Sequence, residues 1–129
     1  MGTDVAHLVG QTLARLGVGH AFGVVGSGNF HLTNALRAHG VPFTATRHEG
    51  GAATMADAFA RMSGRVAAVS THQGCGLTNA LTGVTEAAKS RTSLLVLTAD
   101  TAGAAVRSNF RIDQDAAVRA LGAVPERVH

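Results

Sequence analysis

The stretch Val66-Ala-Ala-Val-Ser-Thr-His-Gln-Gly-Cys-Gly-Leu77 decides the fold, because an apolar run meets a glycine-rich turn and then a helical pattern. Val66 to Thr71 has the composition of a buried β-strand. His72 to Gly76 contains two glycines, which predict a turn. Apolar residues recur at helical spacing from Leu77 to Lys89. The chain is therefore expected to be built from units in which a strand, a turn and a helix follow one another.

The same order of elements recurs on both sides of this stretch. The predicted elements are a helix from Thr3, as its cap, to Leu16; a strand His20–Val25, a turn Gly26–Asn29 and a helix Phe30–Gly40; a strand Val41–Thr46, a turn Arg47–Gly51 and a helix Ala52–Met62; a strand Leu94–Thr98; and a helix capped by Asp113 and ending at Leu121. Strands that alternate with helices predict an α/β fold, an open parallel sheet with helices on both faces. Ligands of such sheets bind at the carboxyl ends of the strands, where the three turns fall.

Composition limits the kinds of protein that this chain can be. Its 129 residues suit one domain, 1–129, and 46% hydrophobic with 15% charged residues is typical of a folded chain. Eleven Lys and Arg against eight Asp and Glu, without Trp or Tyr, argue against nucleic acid as a partner. No apolar run approaches the ~20 residues that a membrane helix needs. A single cysteine, Cys75, and the absence of a signal-peptide pattern predict a cytoplasmic protein.

The seven histidines show no spacing, with each other or with Cys or Glu, that is typical of a zinc site. No metal ligand is therefore expected in this chain.

The first turn contains Gly26, Ser27 and Gly28 between a strand and a helix. Its spacing fits neither the dinucleotide-binding nor the phosphate-loop pattern. A plain turn and a ligand contact both remain open for these residues. Asn29 is expected to cap the helix that follows.

The second turn places Glu49 at the end of a strand that should be buried. A carboxylate there would be partly desolvated and suited to a hydrogen bond with a ligand nitrogen. The alternative is that Glu49 is only a helix-start charge that is favourable to the helix dipole. The turn by itself leaves both interpretations open.

The third turn, Gly74-Cys75-Gly76, lets the backbone approach another molecule closely. Thr78 and Asn79 are cap-type residues, so a simple helix start is the alternative. Cys75 precedes a helix N-terminus, but no neighbouring base would activate it as a nucleophile.

Three ordered motifs cover nearly the whole chain. They are Phe22-Gly-Val-Val-Gly26, Arg47-His-Glu-Gly-Gly-Ala-Ala-Thr-Met-Ala-Asp-Ala-Phe-Ala-Arg-Met-Ser-Gly64 and Gly74-Cys-Gly-Leu-Thr-Asn-Ala-Leu-Thr-Gly83. In this order they resemble the N-terminal pyrimidine-binding domain of thiamine-diphosphate enzymes of the acetolactate synthase and benzoylformate decarboxylase group. The family patterns are F-G-x-P-G, R-H-E-x-G-A-x-x-M-A-x-G-Y-A-R-x-x-G and G-P-G-x-T-N-x-x-T-G. Here Val25 and Cys75 replace the two prolines, which loosens both turns.

The resemblance implies a role for Glu49 and for the glycine turns. Glu49 aligns with the glutamate that hydrogen-bonds the aminopyrimidine of thiamine diphosphate and promotes its imino tautomer. Gly26, Ser27 and Gly28 would face the thiazolium and the substrate, while Gln73 and Gly74 would line the pyrimidine. The implied activity is decarboxylation of a 2-keto acid or acetolactate synthase-like carboligation.

The resemblance also implies that this chain forms half of a site. The family binds the diphosphate and magnesium through a separate domain that carries G-D-G, which does not occur here. The chain is therefore expected to need a diphosphate-binding domain or subunit, to work as a homodimer or homotetramer, and to be inactive alone. The family's domain also continues through a further helix and strand, so the C-terminal part of the domain is expected to be missing.

Two alternatives remain open beside the half-site of a longer enzyme. The chain could be the small subunit of a split thiamine-diphosphate decarboxylase. It could also be a noncatalytic binding or regulatory module that retains the fold.

Overall fold

The computed structural model describes residues 4–128, which form four strands and five helices. In chain order these are α1 (Val5–Arg15), β1 (His20–Gly23), α2 (Phe30–Ala38), β2 (Phe43–Ala45), α3 (Glu49–Ser63), β3 (Ala67–Thr71), α4 (Cys75–Ser90), β4 (Leu94–Thr98) and α5 (Gln114–Ala120). The strands form one open sheet in the order β2-β1-β3-β4, and all pairs are parallel. The predicted fold class is confirmed. Within residues 4–128 no helix has the length and apolar character needed to cross a membrane.

Helices cover both faces of the sheet, because alternate strand residues point to opposite sides. Phe22 and Val69 pack against the alanine-rich sides of α3 and α4. Ala21 and Ala68 point the other way and pack with Leu36 of α2 and with α1. The small residues of these strands and helices allow the layers to approach closely.

Two pairs of neighbouring helices, α1 with α2 and α3 with α4, have a glycine where they approach closely. A Cβ atom placed on Gly10 of α1 would lie 2.7 Å from Ala35 Cβ of α2. A Cβ on Gly83 of α4 would lie 2.5 Å from Ala53 Cβ of α3. Both distances are shorter than carbon atoms tolerate, so only glycine fits, and the relative positions of the helices are fixed by these contacts.

The starts of three helices differ from the prediction. Thr3, the predicted cap of α1, lies outside the described residues, and Asp4 caps this helix by accepting a 2.7 Å bond from the His7 N–H. The helix α3 begins at Glu49 and not at Ala52, because His48 Nδ1 accepts a 3.0 Å bond from the Gly50 N–H and caps the helix earlier.

The helix α4 begins at Cys75, within the predicted third turn, with Gly74 as its cap residue. Thr78 and Asn79 therefore lie inside α4 and do not cap it. The predicted cap Asp113 of α5 is confirmed, since its carboxylate accepts a 2.9 Å bond from the Ala116 N–H.

The strand order creates a crevice at the carboxyl edge of the sheet. The chain leaves β1 towards α2 on one face, whereas it leaves the neighbouring β3 towards α4 on the other face. The two loops, 24–29 and 72–74, therefore lead from adjacent strands to opposite faces of the sheet. Ligands of open α/β proteins bind at such a switch point.

Candidate functional site

One wall of the crevice is a turn held from inside by Asn29, which is only 2% exposed. Its side-chain oxygen accepts a 2.8 Å bond from the Gly26 N–H, and its amide nitrogen donates to Val24 O and to Ser70 Oγ, both at 3.0 Å. Asn29 is the N-cap residue of α2, as the sequence predicted, but its side chain forms no capping bond. Asn29 instead ties the first turn to β3.

The two loops touch at Gly28, where there is no room for a side chain. A Cβ atom on Gly28 would lie 2.5 Å from Gln73 Oε1 and 2.6 Å from His72 Cδ2. Gln73 Oε1 is buried and has no hydrogen-bond partner among the described residues, and the same holds for Thr71 Oγ1 at the end of β3. Because an unpaired buried oxygen is costly, these two atoms indicate a place where a ligand donor would be accepted.

His72 is the ionisable side chain at this contact. Its Nδ1 lies 2.9 Å from Gln73 O, and since a carbonyl only accepts, Nδ1 carries the hydrogen. Its Nε2 lies 3.0 Å from the position that a Gly28 Cβ would take. The ring also packs against Phe110, with 4.9 Å between the ring centroids. One nitrogen of His72 is thus fixed and the other faces the first turn.

Glu49 lies half-buried as the first residue of α3, against the start of α4. Its Oε2 accepts a 3.1 Å bond from the Asn79 amide, and its Oε1 lies 3.4 Å from the position of a Cβ on Gly76. The same Cβ would lie 2.9 Å from His72 Cβ. Glu49 and His72 therefore flank Gly76, and the carboxylate benefits from the positive ends of two helix dipoles.

Gly74 is covered by the segment that follows β4. Its N–H donates a 3.0 Å bond to Gln114 Oε1, and a Cβ on Gly74 would lie 2.5 Å from Phe110 O. Its φ of +66° also favours glycine. Gln114 is buried, and its amide nitrogen donates to Ala99 O. The Gly74 N–H is thus already paired within the chain.

Most of the site residues predicted from the sequence lie together. Gly28 and Gln73 are in contact, and Glu49 is linked to them through Gly76 and His72. Gly26 forms the turn with Asn29, while Ser27 is exposed at its tip. Gly74 lies beside them but is covered.

Sequence reasoning missed three residues of the site: His72, Asn79 and Gln114. Asn79 is 30 residues from Glu49, and Gln114 is 40 residues from Gly74, so no local pattern connects the partners. His72 did have a local signal, since it is an ionisable residue directly after a buried strand. Among residues 4–128, no group of three or more His, Cys, Asp or Glu side chains comes together in a way that could hold a metal ion.

The fold is an open α/β domain whose candidate site lies at the switch point of a parallel sheet, where ligands of such domains bind. The model of the thiamine pyrophosphate enzyme family, N-terminal TPP binding domain, matches residues 3–118. The chain belongs to this family. The resemblance inferred from the three motifs is thereby confirmed.

Two curated relatives illustrate what the chain is similar to. The chain is 38% identical over 88 residues to a sulfoacetaldehyde acetyltransferase of Rhodobacter capsulatus, covering 68% of this chain and 15% of the relative. It is 39% identical over 97 residues to an acetolactate synthase large subunit of Lactococcus lactis, covering 74% of this chain and 17% of the relative. The chain thus matches less than a fifth of the length of these curated relatives.

Proposed function

We propose that this chain is the pyrimidine-side half of a thiamine-diphosphate site that acts on a 2-keto acid, with Glu49 as its catalytic carboxylate. The observation that carries the proposal is the position of Glu49. Its carboxylate is held by Asn79 beside a crevice whose walls, at Gly28 and Gly76, have no side chains. Bare backbone at both places lets Gln73, His72 and Glu49 pack closely together at the carboxyl ends of the strands.

The polar atoms of the crevice fit an aminopyrimidine. Such a ring offers N–H donors and ring nitrogens along its edge, and the unpaired Gln73 Oε1 and Thr71 Oγ1 are acceptors in need of a donor. Gly74 contributes backbone shape, because its N–H is already bonded to Gln114.

Glu49 would hold a proton at a ring nitrogen of the bound aminopyrimidine, which favours the imino tautomer of the ring. Asn79 positions Glu49 by occupying Oε2, so that the ligand would be met by Oε1. When bound, thiamine diphosphate supplies a nucleophilic carbon and an electron sink for decarboxylation or carboligation.

The first turn would lie on the substrate side of the site. Gly26, Ser27 and Gly28 form its rim, and His72 presents Nε2 towards them. With Nδ1 donating to Gln73 O, Nε2 would be able to accept a hydrogen bond near the substrate.

The rest of the site would come from elsewhere. A diphosphate-binding domain or subunit would hold the diphosphate and magnesium, and the complete site would form in a homodimer or homotetramer. The isolated chain should accordingly bind thiamine diphosphate and magnesium weakly and show no turnover. Submicromolar binding in a calorimetric titration of the isolated chain would contradict the half-site.

Replacement of Glu49 by Gln tests the role of the carboxylate. In the assembled enzyme with saturating cofactor, Glu49→Gln should lower kcat by about 10²- to 10⁴-fold, the usual contribution of a general acid–base group. The matched control is Glu126→Gln, because Glu126 is an exposed carboxylate near the C-terminus. Circular dichroism should show that both variants fold like the parent.

The alternatives predict different results. A noncatalytic module requires that Glu49→Gln leave its function unchanged. A split enzyme requires that a separate diphosphate-binding subunit co-purify with this chain, and the Glu49→Gln effect should then appear only in the complex.

A further inference from the structure

Two histidines outside the candidate site lie side by side at the junction of α1 and α2. The Nε2 atoms of His7 and His39 are 3.4 Å apart, and their ring centroids are separated by 4.8 Å. His7 is in the first turn of α1, and His39 is the residue that ends α2. The pair is solvent-exposed.

We infer that His7 and His39 form a two-histidine binding site for a divalent transition-metal ion such as Zn²⁺ or Cu²⁺. Two imidazole nitrogens that each bind a tetrahedral zinc ion at 2.0–2.1 Å are separated by about 3.3 Å. The distance between the two Nε2 atoms therefore matches that of a chelating pair. Imidazole nitrogen suits both ions, and Cu²⁺ is bound more tightly than Zn²⁺.

The backbone holds the two histidines together. Gly10 and Ala35, the residues in closest contact between the two helices, lie three residues after His7 and four residues before His39. On a helix, residues three or four apart share a face. Both histidines therefore project from the same seam, one turn from a contact that tolerates no change. A pair on rigid elements needs little reorganisation to bind an ion.

The charges near the pair are compatible with a cation. His39 lies at the negative end of the α2 dipole, whereas His7 lies at the positive end of α1. The carboxylate of Asp4, bonded to the His7 N–H, offsets the positive end. With two protein ligands, the remaining coordination positions would be filled by water.

The test is a titration of the protein with Cu²⁺ and, separately, Zn²⁺. We expect His7→Ala and His39→Ala each to weaken binding of one equivalent by at least tenfold. The matched control His31→Ala, an exposed histidine on α2, should bind like the parent. The electron paramagnetic resonance spectrum of the Cu²⁺ complex should show two nitrogen ligands in the parent and lose them in the double variant.

A second readout keeps the inference testable if the alanine variants are less stable. Zn²⁺ should raise the Tm of the parent and of His31→Ala but not that of His7→Asn or His39→Gln, which retain a polar side chain. Equal Cu²⁺ affinity in the parent and in both single variants would overturn the site. Variants that lose only stability, with unchanged metal affinity, would show that the pair is a hydrogen bond and nothing more.

Discussion

At the scale of single residues, the site depends on where side chains are missing as much as on where they are present. Glu49 receives one hydrogen bond from Asn79, and Gly76 leaves its other oxygen uncovered. Gly28 allows Gln73 and His72 to approach the first turn. A methyl group at either glycine would displace His72, and at Gly28 it would also displace Gln73.

Replacement of Gly28 by Ala tests this close approach. The new methyl group would lie 2.5 Å from Gln73 Oε1, and relief of the clash would push Gln73 and His72 away. We expect a loss of about 1–3 kcal/mol in the free energy of unfolding, as for other overpacked sites, and weaker cofactor binding by the assembled enzyme. Urea unfolding and calorimetry measure the two effects.

The control is Gly26→Ala, two residues away in the same turn. No atom lies within 4 Å of a Cβ at Gly26, and its φ is not among the positive values. This variant should be unchanged or up to about 1 kcal/mol more stable. Equal losses of stability in Gly26→Ala and Gly28→Ala would mean that the turn as a whole does not tolerate alanine. The contact of Gly28 with Gln73 would then not be the cause.

At the scale of elements, the pair α3 and α4 carries the proposed catalytic arrangement. Glu49 begins α3, Asn79 lies in the second turn of α4, and the helices meet at Ala53 and Gly83. The separation of the two helices thus sets the distance across the Asn79–Glu49 hydrogen bond. A substitution at the Ala53–Gly83 contact should therefore also alter the Asn79–Glu49 hydrogen bond.

Gly83→Ala should destabilise the protein and also lower its activity. The added methyl group would lie 2.5 Å from Ala53 Cβ and 3.0 Å from the Ala53 backbone, which has no flexible end to move. The expected cost is about 1–3 kcal/mol in the free energy of unfolding. The matched control is Gly51→Ala in α3, where no atom lies within 4 Å of the new Cβ.

Gly51→Ala should stabilise the protein by roughly 0.5–1 kcal/mol, because alanine loses less entropy in a helix than glycine does. Thermal unfolding of both variants shows directly whether each is more or less stable than the parent. A stabilising Gly83→Ala would show that the helices are free to separate.

At the scale of the whole molecule, the two edges of the sheet differ in character. The carboxyl edge holds the candidate site, whereas His20 lies at the start of β1, towards the other edge. There His20 stacks on Phe22 at 4.5 Å, and its Nε2 lies 2.8 Å from Thr44 Oγ1. Burial lowers the pKa of His20 below its ordinary value of 6.5.

The lowered pKa of His20 predicts how the stability of the fold depends on pH. Below pH 6.5 the unfolded chain binds a proton at His20 that the native state resists. The free energy of unfolding should therefore be at its full value above pH 6.5 and decrease as the pH falls towards the native pKa. Urea unfolding at several pH values should show a smaller decrease for His20→Gln than for the parent. If the free energy of unfolding of the parent and of His20→Gln changed in parallel with pH, His20 would make no such contribution.

Much of the element order could be read from the sequence. The apolar run of β3 and the whole of β4, Leu94–Thr98, were predicted to within a residue, because a short continuous apolar run is typical of a strand. The starts of α3 and α4 were placed two or three residues late, because glycines were read as turn residues. The His48 cap and the positive φ of Gly74 begin these helices earlier.

The sequence by itself determined the α/β class, the family and the position of Glu49 at the carboxyl end of a strand. Only the tertiary structure decided which residues meet: Asn79 with Glu49, Gln114 with the backbone N–H of Gly74, and His7 with His39. Periodicity and turn residues report the local conformation and burial of each segment. Contacts between segments 30 to 40 residues apart depend on strand order and on how closely small residues let the helices pack.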